Sequence, residues 1–233
     1  IKAVRVAAST AASGSSGGDR RSGRAAVIEL GASSLGVALP TSDVDLLVIG
    51  DDPSVNNFLG RLSSALSAPG AFADAASSKS RSSPPLVRHA RAKYVSVLKV
   101  SRIPGAPDLD VQYVCCPGML DDLLNDKKNS DAASQLSLTA AGKWLRSENA
   151  AAQLAAPLSL ELEGILDTVI LLSANRQRSH LFFRITRLVK LWANQKGVYG
   201  TSAGFPGGFA WAVLVGAFLQ ARFESRRENK KQK

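Results

Sequence analysis

The spacing of apolar and polar residues changes several times along the chain, and each change marks an element. Residues 25–30, Ala-Ala-Val-Ile-Glu-Leu, form an apolar run that reads as a strand, and 44–49, with Val44, Leu46, Leu47, Val48 and Ile49, reads as a buried one. Residues 94–100 alternate with a strand's period of two. Pro104-Gly105 then marks a hairpin turn over 101–107, and 109–114 returns as the partner strand. Phe58, Leu59, Leu62 and Leu66 recur at helical spacing within 56–68, and 68–85 is a Ser/Ala/Pro loop. Residues 119–145 read as helix with breaks, 150–157 as a low-complexity joint, and 158–172 as the start of an all-helical part. In the following helix Ile185, Leu188, Val189 and Trp192 make an apolar face. Arg184, Arg187, Lys190, Leu191 and Asn194 lie towards the other side, and Gly197 ends the helix. Residues 209–219 are apolar on all sides. The pattern predicts an α/β domain over 25–150, with a mixed sheet and flanking helices, followed by a helical domain over 151–233. Residues 1–24, rich in Ala, Ser, Gly and Arg, read as disordered.

Charge narrows the choice of partner. Lys and Arg number 29 against 19 acids in 233 residues, a formal charge of +10, which favours a polyanion such as RNA. A solvated basic surface is the plainer reading. Cys115 and Cys116 are adjacent and cannot form a framework disulfide, and His89 and His180 give no zinc spacing, so the cysteines fit a reducing compartment. No secretory signal is visible. The uncharged stretch 201–221 is broken by Gly204, Pro206, Gly207 and Gly208, leaving less than the roughly 20 residues that span a bilayer. The basic tail at 226–233 reads as a nuclear signal or as a frayed helix end. No internal repeat is evident.

The chemistry concentrates in acids. Asp43 and Asp45 lie two residues apart, so on a strand both project from one side. Such a pair repels unless a cation holds it, and oxygen-only ligands suit Mg²⁺ or Mn²⁺. The alternative is a solvated loop in which Thr41-Ser42-Asp43 caps a turn. Upstream, Gly31 closes the first strand and Ser33, Ser34 and Gly36 open a turn or short helix whose amides offer a seat for phosphate oxygens. A phosphate seat just before a carboxylate pair suggests a metal-bound nucleoside triphosphate. Asp110, flanked by Leu109 and Val111, is poorly placed in a core strand without a cation beside it. It completes a three-acid site able to hold two cations about 3.5–4 Å apart. Asp108 faces the opposite way and reads as a turn residue.

The order strand, Gly-x-x-x-x-Gly, strand, Asp-x-Asp resembles the signature of the DNA polymerase β-like nucleotidyltransferases. Further on, Lys190-Leu-Trp-Ala, Val198-Tyr199, Gly204-Phe-Pro-Gly-Gly and Ala210-Trp-Ala, in that order and spacing, are similar to nuclear poly(A) polymerases. The likeness covers roughly 25–220, strongly over 181–219 and thinly over 115–156. It implies a nucleotidyltransferase catalytic domain at 25–150 and a partial central helical domain at 151–233. The activity implied is template-independent addition of AMP from ATP to an RNA 3′ end in the nucleus, with 3′-end processing proteins as partners and no membrane. By the same resemblance Asp43, Asp45 and Asp110 are the catalytic and Mg²⁺-binding (or Mn²⁺-binding) acids. Gly31, Ser33, Ser34, Tyr94, Val95, Lys190, Tyr199, Gly207 and Gly208 bind the nucleotide: Tyr94-Val95 pack on the base, Lys190 and Tyr199 contact the nucleotide, and adenine lies against the bare backbone of Gly207-Gly208. Each residue has a plainer reading: Lys190 as a solvated helix cation, Tyr199 as a plug at a helix end, the glycines as punctuation.

Gly164 and Thr168 match family positions in the first central helix. Three positions depart from the family pattern: Ala32 stands where it has Ser, Glu163 where it has Asn, and Thr201 where it has Asn. Two other functions stay open, a uridylyl- or other terminal nucleotidyltransferase and a degenerate fold that binds RNA or a partner without turnover. The departures favour the second and the intact acids oppose it.

Overall fold

The computed structural model describes residues 1–13, 24–68, 70–72, 84–91, 96–103, 105–127, 135–147, 159–175 and 179–231. The elements are α1 (Lys2–Ser13), β1 (Ala25–Leu30), α2 (Gly31–Ser34), β2 (Val44–Gly50), α3 (Val55–Ser67), β3 (Leu86–Arg91), β4 (Ser96–Ser101) and β5 (Leu109–Cys115). There follow α4 (Pro117–Lys127), α5 (Gln135–Leu145), α6 (Ser159–Ala174), α7 (Ser179–Gln195), a 3₁₀ turn (Thr201–Ala203) and α8 (Gly208–Lys231). Tertiary contacts divide the chain into two units, 1–30 with 43–166 and 31–42 with 167–233. The sequence puts the joint after residue 150, whereas these contacts carry the first unit to 166 and give the turn at 31–42 to the second.

The first unit is built on a mixed sheet of order β1-β2-β5-β4-β3. β2 and β5 run parallel and the other neighbours antiparallel. Alternation sends Leu46, Val48, Leu98, Val100, Leu109, Val111 and Tyr113 into one core with Phe58, Leu59, Leu62 and Leu66 of α3. Ala26, Ile28, Leu47 and Ile49, on the alternate positions, are buried too; α4 packs against β1 and β2, and α5 against β1. Burial on both faces is why β2 reads as a continuous apolar run rather than an alternating one.

Residues 2–13 correct the expectation of disorder. They form a helix whose Val4, Ala7, Ala8, Ala11 and Ala12 are buried on the α3 core. An alanine-rich stretch reads as low complexity, yet alanine is the strongest helix former, and its small side chain lets two helices approach closely. The rest of the expected disordered segment, 14–23, lies outside the described residues, as does the joint at 150–157. The loop expected at 68–85 is described only at 68, 70–72, 84 and 85.

At the end of β2 the packing leaves no room for a side chain. A Cβ on Gly50 would stand 2.7 Å from the Tyr113 hydroxyl and 2.8 Å from its ring. Tyr113 cannot swing aside. It stacks on Phe58 with centroids 4.0 Å apart and donates to the Asp52 carbonyl at 2.7 Å. Gly50→Ala is therefore expected to destabilise the first unit by about 1–3 kcal/mol, the usual cost of overpacking. An unchanged denaturant midpoint for Gly50→Ala would show that the Tyr113 wedge yields.

The second unit has its own core of Leu35, Val37, Leu171, Phe182, Ala212, Val215 and Leu219. Of the apolar face read from the sequence on α7, Ile185 and Val189 pack half-buried against this core, but the most buried positions are displaced from it. Phe182, Thr186, Lys190 and Ala193 are buried, at i, i+4, i+8 and i+11, while Leu188 is 64% and Trp192 51% exposed. The helix is turned by about one residue, 100° at 3.6 residues per turn, relative to the hydrophobic count. The physical reason is Lys190, whose buried ammonium finds a carbonyl partner that no periodicity reveals.

Candidate active site

In the first unit the chemistry lies in one row across the sheet. Asp45 on β2 is the register partner of Asp110 on β5, and Asp110 is the partner of Lys99 on β4. Partners in register project from the same face. Asp43 immediately precedes β2 instead of lying within it, and Asp108 precedes β5, where its carbonyl accepts from the Val44 amide at 2.9 Å. Much of Asp43 is open to solvent, yet partial desolvation first, and then the Asp110 carboxylate, hold its carboxyl above the usual range. The Lys99 ammonium opposes that rise.

Lys99 is the residue the sequence reading missed. Its Nζ donates to both Asp110 oxygens, at 3.0 and 2.7 Å, and this bond, with Asp43 and Asp45 nearby, holds the ammonium above the ordinary lysine value. The signal was present in the hairpin, because a turn centred near Gly105 sets Lys99 opposite Asp110. The expected cage of three carboxylates is not closed. Among the described residues no three acidic, cysteine or histidine side chains gather as a cation site, and Asp110 is engaged by Lys99. The donor set nonetheless suits a hard divalent cation, being all oxygen. Asp43 carries the raised carboxyl that a neighbouring cation would relieve.

The second unit gathers most of the other candidates. Gly31, at φ +65°, opens α2 and Gly36, at φ +68°, closes it, a backbone that favours glycine at both ends. The Leu35, Gly36 and Val37 amides bond back to Gly31, Ser33 and Ala32, and the Ser34 hydroxyl donates to the Gly31 carbonyl at 2.9 Å. That bond commits the Ser34 proton to the turn itself. Lys190 is fully buried and donates to the Val37 carbonyl at 2.9 Å, fastening α7 to this turn. It is not the solvated cation of the plainer reading.

Beyond α7 the chain closes on itself: the Gly200 amide donates to Pro206 and the Phe205 amide to Gly200. This closed loop returns the chain to Gly207-Gly208 at the start of α8. A Cβ on Gly208 would lie 2.7 Å from the Tyr199 hydroxyl and 3.2 Å from Lys190 Nζ. Lys190, Tyr199 and Gly208 thus meet at one point, and a side chain at 208 would displace the Tyr199 hydroxyl or the Lys190 ammonium. Thr201 is exposed in the 3₁₀ turn, its methyl 3.4 Å from a Cβ placed on Gly207. On α6, Thr168 is buried and Glu163 exposed, while a Cβ on Gly164 would only touch Leu30 at 3.9 Å. Tyr94 and Val95 lie outside the described residues.

Comparison with known proteins bears on both parts. Residues 181–222 match the family model of the poly(A) polymerase central domain. Forty residues are 52% identical to Poly(A) polymerase PAPalpha of Candida albicans, 17% of this chain and 7% of that protein. Sixty-three are 36% identical to Poly(A) polymerase pla1 of Schizosaccharomyces pombe, 27% of this chain and 11% of that protein. The solved structure of Cid1 poly(U) polymerase with Mg and 3′-dATP superposes with a TM-score of 0.51 at 14% identity, over 91% of this chain and 45% of that one. The chain has the fold of a polymerase β-like nucleotidyltransferase. Within that nucleotidyltransferase fold, the poly(A) polymerase sequence likeness is confined to short stretches, and the chain spans less than half of the relatives it matches. Lys190, Tyr199, Gly207 and Gly208 all fall inside the 181–222 match. Among the described residues no helix is long and apolar enough to cross a membrane.

Proposed function

We propose that the chain is the catalytic part of a nuclear polynucleotide adenylyltransferase, which adds AMP from ATP to RNA 3′ ends during mRNA 3′-end processing. The observation that carries this reading is the meeting of Lys190, Tyr199 and Gly208 at one point, within the segment that matches the poly(A) polymerase central domain. A fold shared with a poly(U) polymerase at 14% identity leaves the base open, so the adenylyl assignment rests on that segment.

In this reading Asp43, Asp45 and Asp110 hold divalent cations, Mg²⁺ or Mn²⁺. Such ions, when bound, lower the pKa of the primer 3′-hydroxyl and neutralise charge on the departing pyrophosphate. The protein's own groups orient and recognise. Lys190, whose buried ammonium is anchored on the Val37 carbonyl, would supply the positive charge that stabilises the triphosphate. Tyr199 and the side-chain-free Gly207-Gly208 backbone accept the flat adenine, with Tyr94-Val95 as the stacking platform. Gly31, Ser33 and Ser34 supply amides to phosphate oxygens. The excess of basic residues attracts the RNA, and processing proteins select it.

An extension assay with each of the four NTPs on an RNA primer tests the base assignment. ATP is expected to be used best, and a clear preference for UTP would overturn the adenylyl reading. Thr201 sets the strictness of the choice. A hydroxyl lacks the paired donor and acceptor of an amide, so the ATP-over-GTP ratio is expected to rise in Thr201→Asn, by about 10-fold, the scale of one added hydrogen bond to the base. An unchanged ratio would remove Thr201 from base reading.

A further inference from the structure

The Lys99–Asp110 pair does something that the acid triad by itself does not require. Asp110 sits in register between Asp45 and Lys99, so the same carboxylate faces the other acids on one side and a fixed ammonium on the other. Both of its oxygens accept from Lys99, at 3.0 and 2.7 Å. Asp110 is only 22% exposed while Lys99 is 53% exposed. The carboxylate is thus set in the sheet, and the long, half-solvated lysine is the partner free to leave. A divalent cation on Asp110 would have to share those oxygens with the ammonium and stand close to a like charge.

We propose that Lys99 is a resident counter-ion that competes with the divalent cation for Asp110, so that loading the third carboxylate requires the ammonium to withdraw. This deepens the metal-dependent reading above and rests on it. Without a cation, the ammonium quiets the repulsion among three neighbouring acids and keeps Asp110 in its place in the row. With a cation, the same ammonium weakens binding through competition for the oxygens and through charge repulsion. Lys99 is therefore a positioning residue that sets cation affinity, and not a catalytic one.

Mn²⁺ binding to the nucleotide-free full chain, read by electron paramagnetic resonance or calorimetry, tests this without recourse to turnover. Lys99→Met is expected to tighten Mn²⁺ binding by about 5–20-fold, the scale of one partly exposed charge interaction. Lys99→Gln, polar and more readily accommodated at a half-exposed site, should do the same. Lys99→Arg, which keeps the charge, should stay within about twofold of wild type. In an Asp110→Asn background the tightening should vanish, because the effect runs through that carboxylate. If wild type binds Mn²⁺ through Asp110 but Lys99→Met and Lys99→Gln bind it no more tightly, the competition is refuted and the acid assignment stands. If wild type binds no Mn²⁺, or Asp110→Asn binds it unchanged, both are refuted.

Discussion

Replacing Asp110 or Asp45 with Ala is expected to reduce nucleotidyl transfer below detection while the protein stays folded. On the proposed reading each change would remove one of three carboxylates that would hold the cations, and the remaining two would not replace the lost ligand. The fold should tolerate the loss. In Asp110→Ala the widowed Lys99 is half-exposed and is hydrated in place of its ion pair, a change of about 1 kcal/mol or less. Asp43, which precedes β2, is expected to behave like the other two. Primer extension beside circular dichroism separates the effects, and a normally active, folded Asp110→Ala protein would sink the acid assignment.

Lys190→Ala is expected to lower the rate of AMP transfer by on the order of 10²–10³, the scale of one lost preorganised charge stabiliser. It should also lower stability, since the side chain is fully buried and ties α7 to the Val37 carbonyl. The two effects are separated by measuring single-turnover rates at a temperature where the variant is still fully helical. A folded Lys190→Ala protein with unchanged rate and unchanged ATP affinity would make Lys190 a structural tether only.

What the sequence revealed, and what it concealed, follows from which interactions leave a periodic trace. β1, β2 and β5 were legible because burial writes apolar runs into a strand. The β4–β5 hairpin was legible because Pro104-Gly105 interrupts two such runs. β3 was not assigned: it is an edge strand whose Arg88 and His89 are exposed, and an edge needs no apolar run. α1 was hidden in alanine-rich composition. Lys190 was visible as a candidate through its surroundings in the sequence, yet its burial was not, because hydropathy places a lysine outside unless a carbonyl partner is known in advance. Lys99 was overlooked for a related reason. Its partner lies across a hairpin, so the pair leaves no local pattern and emerges only once the turn near Gly105 is used to set the register of β4 against β5.

The transfer reaction itself gives the most direct measurement. The full chain is incubated with ATP, Mg²⁺ and either an RNA primer carrying a free 3′-hydroxyl or the same primer blocked at that hydroxyl. Adenylyl transfer by this chain predicts ladder-like extension of the free primer by AMP, none of the blocked one, and none of either when Mg²⁺ is chelated. Failure to extend the free primer with any nucleoside triphosphate, by a folded protein supplied with Mg²⁺ or Mn²⁺, would contradict it.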